Sequence, residues 1–168
     1  MAGKLRGEYA VEKENMRKLL VGARMAEICY GEMFSLWFRQ GSMELALRID
    51  APCWFGEREQ WLDRADVFGT GREQAERQDC LLAYELTRLR YWNLIEVDKV
   101  DFLEDHVEIT FTEGNVLSIV YESEFDFMSC EWYLEEVGLK KESERITVGC
   151  SGGELFQNNI PEVIYESF

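Results

Sequence analysis

One histidine, two prolines and no Cys-x-x-Cys pair stand in 168 residues, and each shortage closes a route. With His106 as the only imidazole, Ser-His-Asp and Cys-His catalysis have a single candidate base. The cysteines at 29, 53, 80, 130 and 150 are scattered and odd in number, which argues against a disulfide framework. No apolar run approaches the roughly 18 residues of a membrane span. The N-terminal stretch MAGKLRGEYAVEKENMRK lacks the apolar region of a secretory signal. The expectation is a cytoplasmic protein with reduced, mostly buried thiols and no membrane partner. Positive charge is scarce as well: 18 Lys and Arg face 33 Asp and Glu, for a formal net charge of −15. A protein so acidic repels nucleic acid and anionic lipid, so neither is expected as a partner.

Apolar residues at 46%, of which aromatics make up 13% of the chain, supply a core and exclude intrinsic disorder. The length suits one domain, 1–168, with a helical segment over 1–22 and a core over 25–153. The negative charge is concentrated. Residues 96–136 hold thirteen Asp or Glu against one Lys, which is twelve of the fifteen net charges. The same stretch interleaves Val107, Ile109, Phe111, Leu117, Ile119, Tyr121, Trp132 and Leu134 with those charges. Alternation of this kind makes half-buried strands, so the carboxylates are expected on one face of a folded sheet.

Glu8 to about Leu20 reads as a short helix, with Tyr9, Met16 and Leu20 on one stripe and Gly22 as its stop. Phe34, Leu36 and Phe38, then Met43, Leu45, Leu47 and Ile49, alternate around Gln40-Gly41-Ser42, which predicts a hairpin. Pro52 ends that strand or marks a sheet edge. Residues 56–71 have no clear period and read as a loop with one helical turn near Trp61. Ala75, Leu82, Leu86 and Leu89 predict a long helix over 72–90. Ile95 and Val97 begin a strand with a bulge near Lys99, and VEITFTEGNVLSIVY is a second hairpin around Glu113-Gly114-Asn115. Cys130, Trp132 and Leu134 define a further strand, and Ile146 with Val148 another. The expected fold is α+β: a mainly antiparallel sheet built from both hairpins and extra strands, with the 72–90 helix packed on it and a short N-terminal helix.

The hairpins align at an offset of 73, which places Phe34, Leu36, Phe38 and Gly41 over Val107, Ile109, Phe111 and Gly114. A duplicated unit and convergent hairpins both explain this.

His106, between Asp105 and Glu108, reads either as a general base or as an exposed strand residue. Cys53 reads as a packed thiol, since nothing in its surroundings supplies the base or positive setting of a nucleophile. The glycines of GCSGG lack the Lys-Ser/Thr of a phosphate loop and read as a turn. The carboxylates do not follow the EF-hand spacing, so neither a metal site nor a cofactor is expected. They make a solvated face, a protein-binding face or, where Glu96 and Asp98 or Glu122, Glu124 and Asp126 gather on one side of a strand, a metal or acid-pair site. On the binding reading, Glu96, Asp98, Glu108, Glu122 and Glu124 carry the docking charge. Trp37, out of phase with Phe34, Leu36 and Phe38, is either an exposed interface anchor or a residue covered by the 72–90 helix.

The order GEMFSLWF, LALRIDAPCWF, Val-x-x-Val at 97–100, VEITFTEGNVLSIVY, EWYLEE and ITVGCSGG resembles a group of small uncharacterised bacterial α+β proteins. Members of that group are similar to proteins found near toxin–immunity loci. The likeness spans about 25–153, and this chain has Ala-Pro-Cys-Trp where the group has a Cys-Pro-Trp-like segment. It implies no catalytic residue. The expected function is therefore a non-catalytic, acidic protein-binding domain, most concretely an immunity-type inhibitor of a basic toxin. The alternative is a small-ligand-binding protein or enzyme with a pocket of carboxylates and aromatics.

Overall fold

The computed structural model describes residues 9–30, 34–67, 95–121, 130–138 and 141–161. The predicted helix over 72–90 lies outside them. Helix α1 (Ala10–Leu20) leads into a three-stranded meander of β1 (Arg24–Tyr30), β2 (Phe34–Gln40) and β3 (Met43–Ile49). A short β4 (Cys53–Phe55) and helix α2 (Arg58–Val67) follow. A second meander comprises β5 (Val97–Phe102), β6 (His106–Phe111) and β7 (Val116–Val120). Then come β8 (Trp132–Val137), a 3₁₀ turn (Glu142–Glu144), β9 (Thr147–Ser151) and β10 (Glu154–Asn158). The architecture is antiparallel sheet with two short helices, an α+β arrangement.

The two hairpins do not share a sheet, contrary to the expectation from their patterning. Sheet A has six strands in the order β1-β2-β3-β8-β9-β10, and sheet B has four in the order β4-β7-β6-β5. The reason is that each hairpin has one apolar face, and two such faces are best buried against each other. Phe34, Leu36, Phe38, Leu45 and Leu47 from sheet A join Val107, Ile109, Phe111, Leu117 and Ile119 from sheet B in one buried cluster. Met16, Leu19 and Leu20, spaced three, four and one apart on α1, close that cluster. The side chain of Gln40 donates to the carbonyls of Lys18 and Val21 at 3.0 and 2.8 Å, which satisfies the end of α1. Backbone bonds from Met25 N to Ile95 O (3.0 Å) and from Val97 N to Ala23 O (2.9 Å) stitch β1 to β5, where the edges of the two sheets meet.

The likeness of the hairpins extends to eight strands. Ile28, Leu36, Leu47 and Leu134 stand in one row across β1-β2-β3-β8. Val100, Ile109, Leu117 and Phe55 stand in the matching row across β5-β6-β7-β4. Both meanders slip register at the same place, between Met25 and Glu27 in β1 and between Val97 and Lys99 in β5. The bulge expected near Lys99 is thus one of a matched pair. The fourth strands are exchanged: β4 follows β3 but completes sheet B, and β8 takes the place beside β3 in sheet A. At the two crossings, Asp50 N and Ala51 N donate to Glu131 O, while Val120 N donates to Pro52 O. Pro52 can serve there because its carbonyl is the group required.

Residues 58–67 form a full helix, α2, rather than a loop with one turn. Trp61 and Leu62 anchor it in the core, and Arg64 Nη2 donates to Phe55 O at 3.0 Å. Anchorage at two adjacent positions and a backbone bond outweigh a sequence with little amphipathic period. Cys53 is buried, as expected of a packed thiol, and no disulfide joins any two of the described cysteines at 29, 53, 130 and 150. Gly152 and Gly153 make the β9–β10 turn with φ of 57° and 75°, values that side chains rarely adopt.

Candidate functional site

Sheet B turns one face to the core and the other outward. Because Val107, Ile109 and Phe111 point in, His106, Glu108 and Thr110 point out. Register then aligns Trp54, Ser118, Glu108 and Asp101 across β4, β7, β6 and β5 on that outer face. Lys99, one step along β5, pairs with Asp101 at 2.6 Å. The connection from β4 into α2 rises beside this face and leaves a cleft of about 590 Å³. Trp54, Glu57, Arg58, Asp105, His106 and Glu108 are among its walls, and Gly114 and Asn115 of the β6–β7 turn close one end. That volume is within the ordinary range of ligand sites.

His106 is the hub of the cleft. Its Nδ1 lies 2.6 Å from Asp105 Oδ1 and its Nε2 lies 3.3 Å from Glu108 Oε1. An imidazolium donates to both carboxylates, whereas the neutral ring donates to one and turns a lone pair on the other. The Trp54 ring leans on the imidazole, centroids 5.1 Å apart and planes at 54°. The His106 side chain is only 15% exposed, so it is neither a free surface residue nor open to a substrate from all sides. The Arg58 guanidinium carbon sits 5.1 Å from the Trp54 ring centroid.

The carboxylates named from sequence fall in different places. Glu108 lines the cleft. Asp98 is exposed in the β5 bulge, and Glu96 bridges to Arg24 at the β1–β5 junction, with an ion pair of 3.5 Å. Glu122 and Glu124 lie outside the described residues. Trp37 is on the outer face of sheet A, opposite Ala46 and Glu27, and therefore not beside Glu108. The described acidic residues from Glu131 onward lie in or beside sheet A. Glu131 accepts from Gly152 N at 2.9 Å. Glu135, which alternates with the inward Trp132 and Leu134, is nevertheless buried, with Arg48 Nε donating to it at 2.6 Å and Arg145 Nη1 at 3.5 Å. The acidic run is thus divided between two sheets, with Asp101, Asp105 and Glu108 on one of them.

Sequence reasoning missed that Trp54, Glu57 and Arg58 share a cleft with His106, because β4 reaches sheet B only through the exchange of strands. Among the described residues, no group of three or more His, Cys, Asp or Glu is arranged to hold a metal ion. No helix among them is long and apolar enough to cross a membrane. Comparison of the chain with protein-family models, curated proteins and solved structures finds no match in any of the three.

Proposed function

We propose that this protein is a non-catalytic binding domain that docks a basic protein on the outer face of sheet B. The observation that carries this reading is the cleft itself: Glu57, Asp105 and Glu108 line it, with Asp101 in register beside Glu108. A concave, negatively charged wall with an aromatic side chain in it suits a protruding basic segment, and the charge around it steers the encounter. Its concrete form is an immunity-type inhibitor that covers a basic toxin in the cytoplasm, in line with the resemblance of the chain. A second reading, a small-ligand site, draws on the same cleft, where carboxylates, an imidazole and an indole converge.

The test is charge reversal of Asp98, Asp101 and Glu108 to Lys, followed by partner capture at low and high salt. Capture by the native protein should be strong at low salt, weaken as salt rises, and be lost in the triple variant. Capture and salt dependence that survive the reversal unchanged would refute docking through this face.

A further inference from the structure

We infer that Arg58 is a built-in stand-in for an arginine of the partner, and that a basic segment binds by displacing it from Trp54. The inference rests on the reading of the cleft as the docking site of a basic protein, and it names the side chain that the cleft accepts.

Three observations lead to it. Trp54 is 7% exposed, and the exposed Arg58 side chain lies over its ring at 5.1 Å, so the arginine is the movable cover of the indole. Arg58 is also the first residue of α2, flanked by Glu57 and Glu59. A cation opposes the helix dipole at that position, so helix formation gives no reason for an arginine there, whereas the aromatic face does. Finally, no carboxylate among the described residues forms an ion pair with Arg58, although Asp105 and Glu108 stand in the same cleft. An incoming guanidinium can take the ring as Arg58 does and add a charged hydrogen bond that Arg58 lacks. Glu108 at 33% and Asp105 at 72% side-chain exposure are within its reach. The planar fork of arginine both stacks on indole and grips carboxylate, which the ammonium of lysine does not.

The experiment measures binding of a labelled Gly-Arg repeat peptide, with Gly-Lys and Gly-citrulline versions, to the full chain by fluorescence anisotropy. Arg58→Gln removes the competitor and keeps the helix, and Arg58→Ala is used if the glutamine variant does not fold. The arginine peptide should bind the native protein more tightly than the lysine peptide does. It should gain about three- to ten-fold in affinity on Arg58→Gln, the range expected when a competing cation–π contact is removed. Glu108→Gln should weaken it, and citrulline should abolish it. If the native chain binds the arginine peptide but Arg58→Gln leaves affinity equal or lower, Arg58 is no stand-in, and docking of basic segments survives. An equal gain for the lysine peptide would refute a guanidinium seat. If neither Arg58 variant nor the native protein binds any basic peptide, the docking reading falls with the inference.

Discussion

Arg48 and Glu135 meet at 2.6 Å across β3 and β8 on the face of sheet A that alternation would assign to solvent. Burial works against the Arg48 charge, but the hydrogen bond and charge of Glu135 outweigh it, so the guanidinium is held above its usual range. Arg145 approaches the other carboxylate oxygen. One buried carboxylate thus keeps two guanidinium groups in place.

Removing that carboxylate alone should be costly. Glu135→Leu leaves Arg48 and Arg145 facing each other, and we expect a loss approaching the ~3–5 kcal/mol of a broken buried pair. The Arg48 side chain is 30% exposed, so water softens the loss. Arg48→Met combined with Glu135→Leu should recover most of it. Urea unfolding of the two single variants and the double variant checks this. Additive losses would show that the pair is not coupled.

Gly149 in β9 stands where no side chain has room. A Cβ there would stand 2.7 Å from the Phe156 ring, 2.7 Å from Tyr133 Cβ and 2.8 Å from the Trp132 carbonyl. Gly149→Ala should therefore destabilise by about 1–3 kcal/mol, as overpacking does. Phe156→Leu should rescue only part of the loss, because the other two contacts belong to atoms on or next to the backbone of β8. Full rescue by that substitution, measured by chemical denaturation, would contradict this packing.

Burial pushes the Tyr121 phenol well above its ordinary range, and the neighbouring Cys150 and Asp105 push in the same direction. The fold therefore keeps the phenol neutral while the unfolded chain ionises near pH ~10. From there upward the unfolded state holds fewer protons, so stability falls as pH rises. Tyr121→Phe should remove this component and flatten the decline of the unfolding midpoint above pH ~10. A variant as sensitive to alkali as the native protein would show that Tyr121 does not contribute.

Much of the strand pattern was legible along the chain. Period-two alternation marked β2, β3, β6 and β7, and the break in phase at Lys99 marked the bulge, because side chains of a half-buried strand must alternate. Gly41 and Gly114 marked two of the turns. Strands β1, β4 and β10 went unread. In β4, Cys53, Trp54 and Phe55 are all buried and show no alternation; in β1 a bulge breaks it. For the candidate site, Glu108 and the position of His106 beside two carboxylates could be read locally, because they are neighbours on one strand. Trp54 and Arg58 could not.

The sequence by itself determined which face of each strand is apolar, where the chain turns and where the negative charge accumulates, since these follow from local periodicity and composition. The tertiary structure decided which strands became neighbours. The exchange of β4 and β8 between the meanders brings Trp54 onto His106 and carries Glu135 away to Arg48 in the other sheet. The physical reason is that two hairpins with equivalent apolar faces offer many ways of being buried. Only the joint packing of both sheets selects the pairing that fills one core, and with it the residues that share a cleft.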